Sequence, residues 1–196
     1  MKKNYSRNFL DLINQITISI DDKKIDLLAR KIAELRRNKG RLFFIGIGGS
    51  AANSSHAVND FRKLCNIESY SPLDNVAELT ARINDEGWDS SIRDWLKVSN
   101  LKKNDALFIF SVGGGNKIKK VSTNLIAAID YAKKRKSKVF GVVGRKNGYL
   151  GKKGDLVIFI PEANSKKVTP LSEAYQAVVW HCLVSHPLLQ QKKNKW

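Results

Sequence analysis

Apolar residues recur along this chain at two different periods. Between residues 5 and 38, Phe9, Leu12, Ile13 and Ile16, and then Ile25, Leu27, Leu28, Ile32 and Leu35, recur at helical spacing. That pattern predicts two amphipathic helices. Asp21 and Asp22 supply a cap between them, and Asn38-Lys39-Gly40 ends the pair. From residue 41 the pattern changes to short, nearly unbroken apolar runs, at 41–47, 106–112, 138–144 and 156–161, with a short second strand at 66–70. Helical stretches lie between them: one from a glycine-rich turn to about Cys65, then 74–82 and 91–98 with a break over 84–89, and then 118–134. Asn147-Gly148 and residues 151–154 read as turns. A last helix follows, with Thr169 placed to cap it, Pro170 suited to its first position, and His186-Pro187 stopping it near Ser185. Largely apolar strands alternating with helices predict an α/β fold with a parallel sheet covered on both faces. The chain reads as one domain over residues 1–196. The helical pair at 1–40 has an apolar face of its own to bury, on the domain or on a neighbouring subunit.

Two of the runs break into glycine. Gly46-Ile47-Gly48-Gly49-Ser50-Ala51 opens a helix, and Ser111-Val112-Gly113-Gly114-Gly115-Asn116 follows the third strand. Glycine lets backbone amides approach an anion, and the first amides of a helix point at it with a favourable dipole. Ligands of parallel sheets sit at the carboxyl ends of strands, so two such loops predict one site built from both. The first loop also matches G-x-G-x-x-A, and Glu68 follows 22 positions after Gly46, close to a dinucleotide fingerprint. A dinucleotide would leave the second loop without a role. It would also leave unexplained His56 and Asp60, which share one face of the helix. Ser50 adds a hydroxyl of the kind a phosphomonoester wants. A phosphosugar explains more of these residues.

The last helix carries Glu173, Ala177 and His181 at i, i+4 and i+8. With His56 and Asp60 they supply two imidazoles and two carboxylates, a set that suits zinc or a sugar chain. Glu173 and His181 are roughly 12 Å apart along a helix axis, a long reach for two ligands of one ion. Spacing alone weighs evenly between a joint site and unrelated, partly buried histidines.

Charge changes the picture less than its size suggests. The 196 residues include 35 Lys and Arg against 18 Asp and Glu, a formal net charge of +17. The cations are scattered, without a basic helix or groove motif, so a solvated lysine-rich surface is favoured over a nucleic-acid surface or a field that draws in anionic substrates. Cys65 and Cys182 make no metal-type spacing and read as buried free thiols. No run is long enough to span a membrane, and Asp11, Asn14 and Gln15 interrupt any leader-like core, so a cytoplasmic protein is expected. His186 and the tail 192–196 are expected to be structural or solvent-facing.

Three stretches, 46–60, Asn84-Asp85 and 173–181, carry a resemblance to the sugar isomerase (SIS) domain family, and more narrowly to bacterial phosphoheptose isomerases. It covers nearly the whole chain. It implies a three-layer, flavodoxin-like, five-stranded parallel sheet with an N-terminal helical hairpin, in a homotetramer with sites at subunit interfaces. It also implies a divalent metal, zinc by ligand type, on His56, Asp60, Glu173 and His181. Asp60 and His181 would form the acid/base pair. Asn84 and Asp85 would hold sugar hydroxyls, and Gly48, Gly49, Ser50, Ser111, Gly113, Gly114, Gly115 and Asn116 would hold substrate and its phosphate. The implied reaction is an aldose–ketose isomerisation of sedoheptulose 7-phosphate to a heptose 7-phosphate for surface polysaccharide (lipopolysaccharide or capsule), through a metal-assisted enediol. Three positions depart from the family pattern. Asp60 stands where the family has Glu, Glu173 where it has Gln, and the second loop lacks three hydroxyls. A non-catalytic SIS-domain sensor, or an adaptor for a protein or DNA partner, is the other reading.

Overall fold

The computed structural model describes residues 4–193; the tail residues 194–196 lie outside them. Five parallel strands, β1 (Leu42–Ile45), β2 (Ser69–Tyr70), β3 (Ala106–Ser111), β4 (Lys138–Val143) and β5 (Leu156–Phe159), form one sheet in the order β2-β1-β3-β4-β5. That is the flavodoxin-like order expected. Register pairs Leu42 with Ala106 and Ile45 with Ile109, then Ala106 with Lys138 and Ser111 with Val143. The strand order reverses between β1 and β3, the crevice where open α/β sheets bind ligands. Both glycine loops leave the sheet at this point.

The helices are α1 (Tyr5–Ser19), α2 (Asp22–Arg37), α3 (Gly49–Cys65), α4 (Val76–Glu86), α5 (Ser91–Val98), α6 (Thr123–Lys134), α7 (Tyr149–Lys153) and α8 (Val168–Val184). They divide between the two faces because alternate strand residues point opposite ways. Phe44, Phe108 and Phe110 pack with Phe61 and Trp180 under α2, α3 and α8; Phe43, Ile45, Leu107 and Ile109 pack under α5 and α6. The helical pair packs against its own chain. The Tyr175 hydroxyl on α8 donates to the Ile13 carbonyl at 2.5 Å, and the Arg36 guanidinium on α2 donates to the carbonyls of Cys65, Leu188 and Leu189. At the amino end of the sheet, Asp105 is 3% exposed and accepts from the amides of Arg41 and Lys102 and from the Arg41 guanidinium.

Four local expectations need correction. Helix α6 starts at Thr123, not at residue 118. Asn116 and Val121 exchange backbone hydrogen bonds and the Asn116 side chain accepts the Lys119 amide, which holds 116–122 as a turn. Asn84 and Asp85 do not break a helix; they sit in the last turn of α4, which Gly87 ends. Residues 149–153 form a short helix rather than a turn. Helix α8 begins at Val168 without a side-chain cap, so Thr169 is not its cap and Pro170 lies inside the first turn.

The two thiols also differ. Cys65 is buried as expected, but Cys182 is exposed, on a part of α8 that this chain leaves uncovered. Burial pushes the Cys65 thiol up to about 12. A thiol reagent at neutral pH is therefore expected to leave Cys65 unmodified until denaturant is added. Mass spectrometry of the labelled native protein checks this; rapid modification of Cys65 would contradict the packing.

Candidate active site

Helix α3 starts from a turn that only glycine adopts easily. Gly48 has φ +63°, in the left-handed region. The helix then runs beside α8 in the same direction. Asn53 donates through Nδ2 to the Glu173 carbonyl and to Gln176 Oε1, both at 3.0 Å, and one turn further on His56 meets Trp180 and His181.

At this second contact His56, Asp60 and His181 come together. Each offers one ligand atom, and the three atoms lie within 4.8 Å of one another. His56 Nε2 is 3.7 Å from Asp60 Oδ2, while Asp60 Oδ1 accepts from Asn59 Nδ2 at 2.8 Å. The His56 side chain is 58% exposed and that of Asp60 15%. His181 Nδ1 lies 2.8 Å from the Ala177 carbonyl. A carbonyl only accepts, so Nδ1 carries the proton and Nε2 keeps a lone pair in the neutral ring. The imidazole lies against Trp180, with ring centroids 3.5 Å apart. Two imidazoles and a carboxylate converging this closely fit a divalent ion of zinc type, with a position left for substrate.

Glu173, implied as a fourth ligand, is not in this group. Its carboxylate lies at the start of α3: a Cβ on Gly49 would stand 2.6 Å from Glu173 Oε2. Asn84 and Asp85 are exposed and bonded to each other, with no contact to the histidines recorded among the described residues. In the second loop Ser111 Oγ accepts the Gly114 amide at 2.9 Å, Gly113 faces open space, and Asn116 is turned to the Lys119 amide. Ser50 is buried, at 2% exposure.

Asn53, Gln176 and Trp180 were not among the residues singled out in the sequence. Gln176 Nε2 and Trp180 Nε1 are buried without a hydrogen-bond partner among the described residues. Their only signal in the sequence is position, one turn from Glu173 and next to His181. Polar residues at such positions read as ordinary helix-packing residues.

The sequence profile of a family described as SIS domain matches residues 4–144. The chain belongs to the SIS domain family. Among its relatives, the lincomycin biosynthesis protein LmbN of Streptomyces lincolnensis is 32% identical over 191 residues, covering 92% of this chain and 68% of that protein. A phosphoheptose isomerase of Helicobacter pylori is 22% identical over 160 residues, covering 79% of this chain and 80% of that one. The structure of a phosphoheptose isomerase from Francisella tularensis superposes with a TM-score of 0.78 at 18% identity, covering 92% of both chains. The likeness to that structure agrees with the five-stranded parallel sheet described above.

Proposed function

We propose that this SIS domain is an aldose–ketose isomerase that converts sedoheptulose 7-phosphate to a heptose 7-phosphate. Family membership, and relatives named phosphoheptose isomerase, support a phosphosugar isomerase; the seven-carbon sugar is the further step. The observation that carries the reading is the convergence of His56, Asp60 and His181 between α3 and α8, about two to three turns along the helix that the first glycine loop opens.

The reaction moves one proton between C1 and C2 of the open-chain sugar and another between their oxygens. It needs a base, an acid and stabilisation of an enediol. Asp60 suits the base: Asn59 orients one carboxylate oxygen and the other faces the histidines. The Ala177 carbonyl holds His181 Nδ1–H and leaves Nε2 as its one available nitrogen, which would hold the ion when one is bound and otherwise suits proton exchange with the sugar oxygens. His56, Asp60 and His181 would hold the divalent ion, which when bound would polarise the substrate carbonyl. The His56 imidazole is largely exposed, and Val178, one turn before Cys182 on α8, is 56% exposed. That exposure supports a site completed by another copy of the chain, in a homotetramer. Among the described residues no helix is long and apolar enough to cross a membrane, in keeping with an enzyme of the cytoplasm that feeds surface polysaccharide.

The test is turnover of sedoheptulose 7-phosphate followed by NMR on protein as purified, after chelation, and after zinc is restored. The expected result is a heptose 7-phosphate that disappears on chelation and returns with zinc. No turnover in any of the three states would overturn the isomerase reading of this sugar.

A further inference from the structure

We propose that α2 and the amino end of the sheet form a docking surface for an acidic, amphipathic segment of a partner protein. This surface stands apart from the isomerase site, at the end of the strands opposite the glycine loops.

Two hollows flank one ridge of α2. The larger, about 640 Å³, lies between α2 and the residues that lead into β3, β4 and β5. Leu35 and Phe140 are buried along its floor, with Leu156 half-buried beside them. The smaller, about 360 Å³, lies between α2 and the segment after α8, where Leu188 forms one side. Leu27, Lys31 and Glu34 line both hollows, because positions i, i+4 and i+7 share a helix face. Leu27 and Leu188 are exposed. Leu188 is nevertheless held in place, since Arg36 donates to its carbonyl and to that of Leu189. The surface therefore presents fixed apolar groups rather than a loose tail.

Cations that are scattered in the sequence meet around these hollows. Arg30, Lys31 and Arg37 come from α2, Lys103 from the approach to β3, and Lys136 and Lys138 from the approach to β4. All six are exposed. The three carboxylates of the lining are already engaged: Glu34 with Lys31, Asp105 with Arg41, and Asp155 with Lys133. Among the described residues, Lys103, Lys136 and Lys138 form no ion pair with a carboxylate. The Glu34 carboxyl is held below its ordinary range, chiefly by the hydrogen bond from Lys31, with the charges of Lys31, Arg37 and Lys138 adding to it. A helix dipole accounts for Arg37, in the last turn of α2. It does not account for Lys103 or Lys138, which belong to no helix.

Apolar groups ringed by unpaired cations call for large apolar side chains set among carboxylates. A nucleic acid supplies negative charge but nothing to seat on Leu27 and Leu188. The one ring in the lining, Phe140, is buried and offers no base a face to stack on. A second copy of this chain would bring the same six cations, so the surface repels itself. An acidic amphipathic helix supplies both the apolar stripe and the charge.

The probe is a fluorescein-labelled synthetic peptide about 16 residues long, with leucines at i, i+4 and i+7 and glutamate and alanine elsewhere. Its binding to the intact protein is measured by fluorescence anisotropy at physiological ionic strength, beside a scrambled peptide of the same composition and a labelled DNA duplex. The ordered peptide is expected to bind at least about tenfold more tightly than the scrambled one, because only the ordered one sets its leucines in a single stripe. Lys103→Glu/Lys138→Glu is expected to weaken it about tenfold or more. Lys63→Glu/Lys166→Glu makes the same change in net charge at exposed positions elsewhere, and is expected to stay within about twofold of the parent, since distant charges are screened. Leu27→Ser, which changes no charge, is expected to weaken the ordered peptide and leave the scrambled one unaffected. Thermal melts matching the parent verify that each variant is folded. No binding of the ordered peptide, equal affinity for both peptides, tighter binding of the duplex, or equal losses in the two double variants would each overturn the proposal. Sugar-phosphate turnover enters none of these readouts, so failure of the isomerase reading would leave the result standing.

Discussion

Replacing His181 by alanine is expected to lower turnover by about a thousandfold or more, with the melting temperature within about 2 °C of the parent protein. Two features make this split large. The imidazole is exposed, and among the described residues its one hydrogen bond is to a carbonyl of its own helix, so its loss opens no core. Yet it supplies one of the three groups that meet within 4.8 Å, and its Nε2 is the nitrogen left available. Zinc content, measured on the same preparation, is expected to fall with activity. Full activity in the folded variant would remove His181 from the reaction and the metal site together.

The largest loss of stability is expected at the other end of the sheet. Asp105→Ala is expected to cost about 2–4 kcal/mol in denaturant unfolding, because it strips a half-buried cation and two backbone amides of their buried acceptor. Asp105 is 3% exposed and joins the starts of β1 and β3. Arg41 donates its backbone amide at 2.9 Å and its Nη2 at 2.7 Å, and Lys102 donates its amide at 2.8 Å. The same contact raises the Arg41 guanidinium above its usual range, so the arginine stays charged and would be left unpaired. Activity per folded molecule is expected to hold, since His56, Asp60 and His181 stand on α3 and α8 and none of them is bonded to Asp105 or Arg41. A loss below about 1 kcal/mol would show that the amides and guanidinium find other acceptors.

How far these features were legible in the sequence follows from the length scale of each signal. Strands such as 106–112 announce themselves by unbroken apolar runs, because both faces of the sheet are covered. Glycine loops announce themselves because few residues tolerate those turns. The start of α6 was misplaced because Ile118 continues a helical apolar pattern, while a hydrogen-bonded turn at Asn116 and Val121 overrides it. Cys182 was misplaced because α8 is apolar nearly all round, and periodicity does not say which side the rest of the chain covers. Glu173 shows the limit most clearly. Spacing puts it on the stripe of His181, but the side chain reaches towards Gly49, and that depends on how α3 and α8 are aligned along their axes.

That alignment has a consequence for the chain as it is made. Asn53 and Gln176, whose contact sets it, are 123 positions apart. A ribosome-bound chain can complete β1, β3 and both glycine loops well before α8 emerges. Until then His56 and Asp60 have no His181 beside them and Gly49 has no carboxylate over it. The half-built protein would hold an uncapped, anion-attracting helix end without chemistry, and docking of the last helix would close that end and assemble the reactive group in a single event.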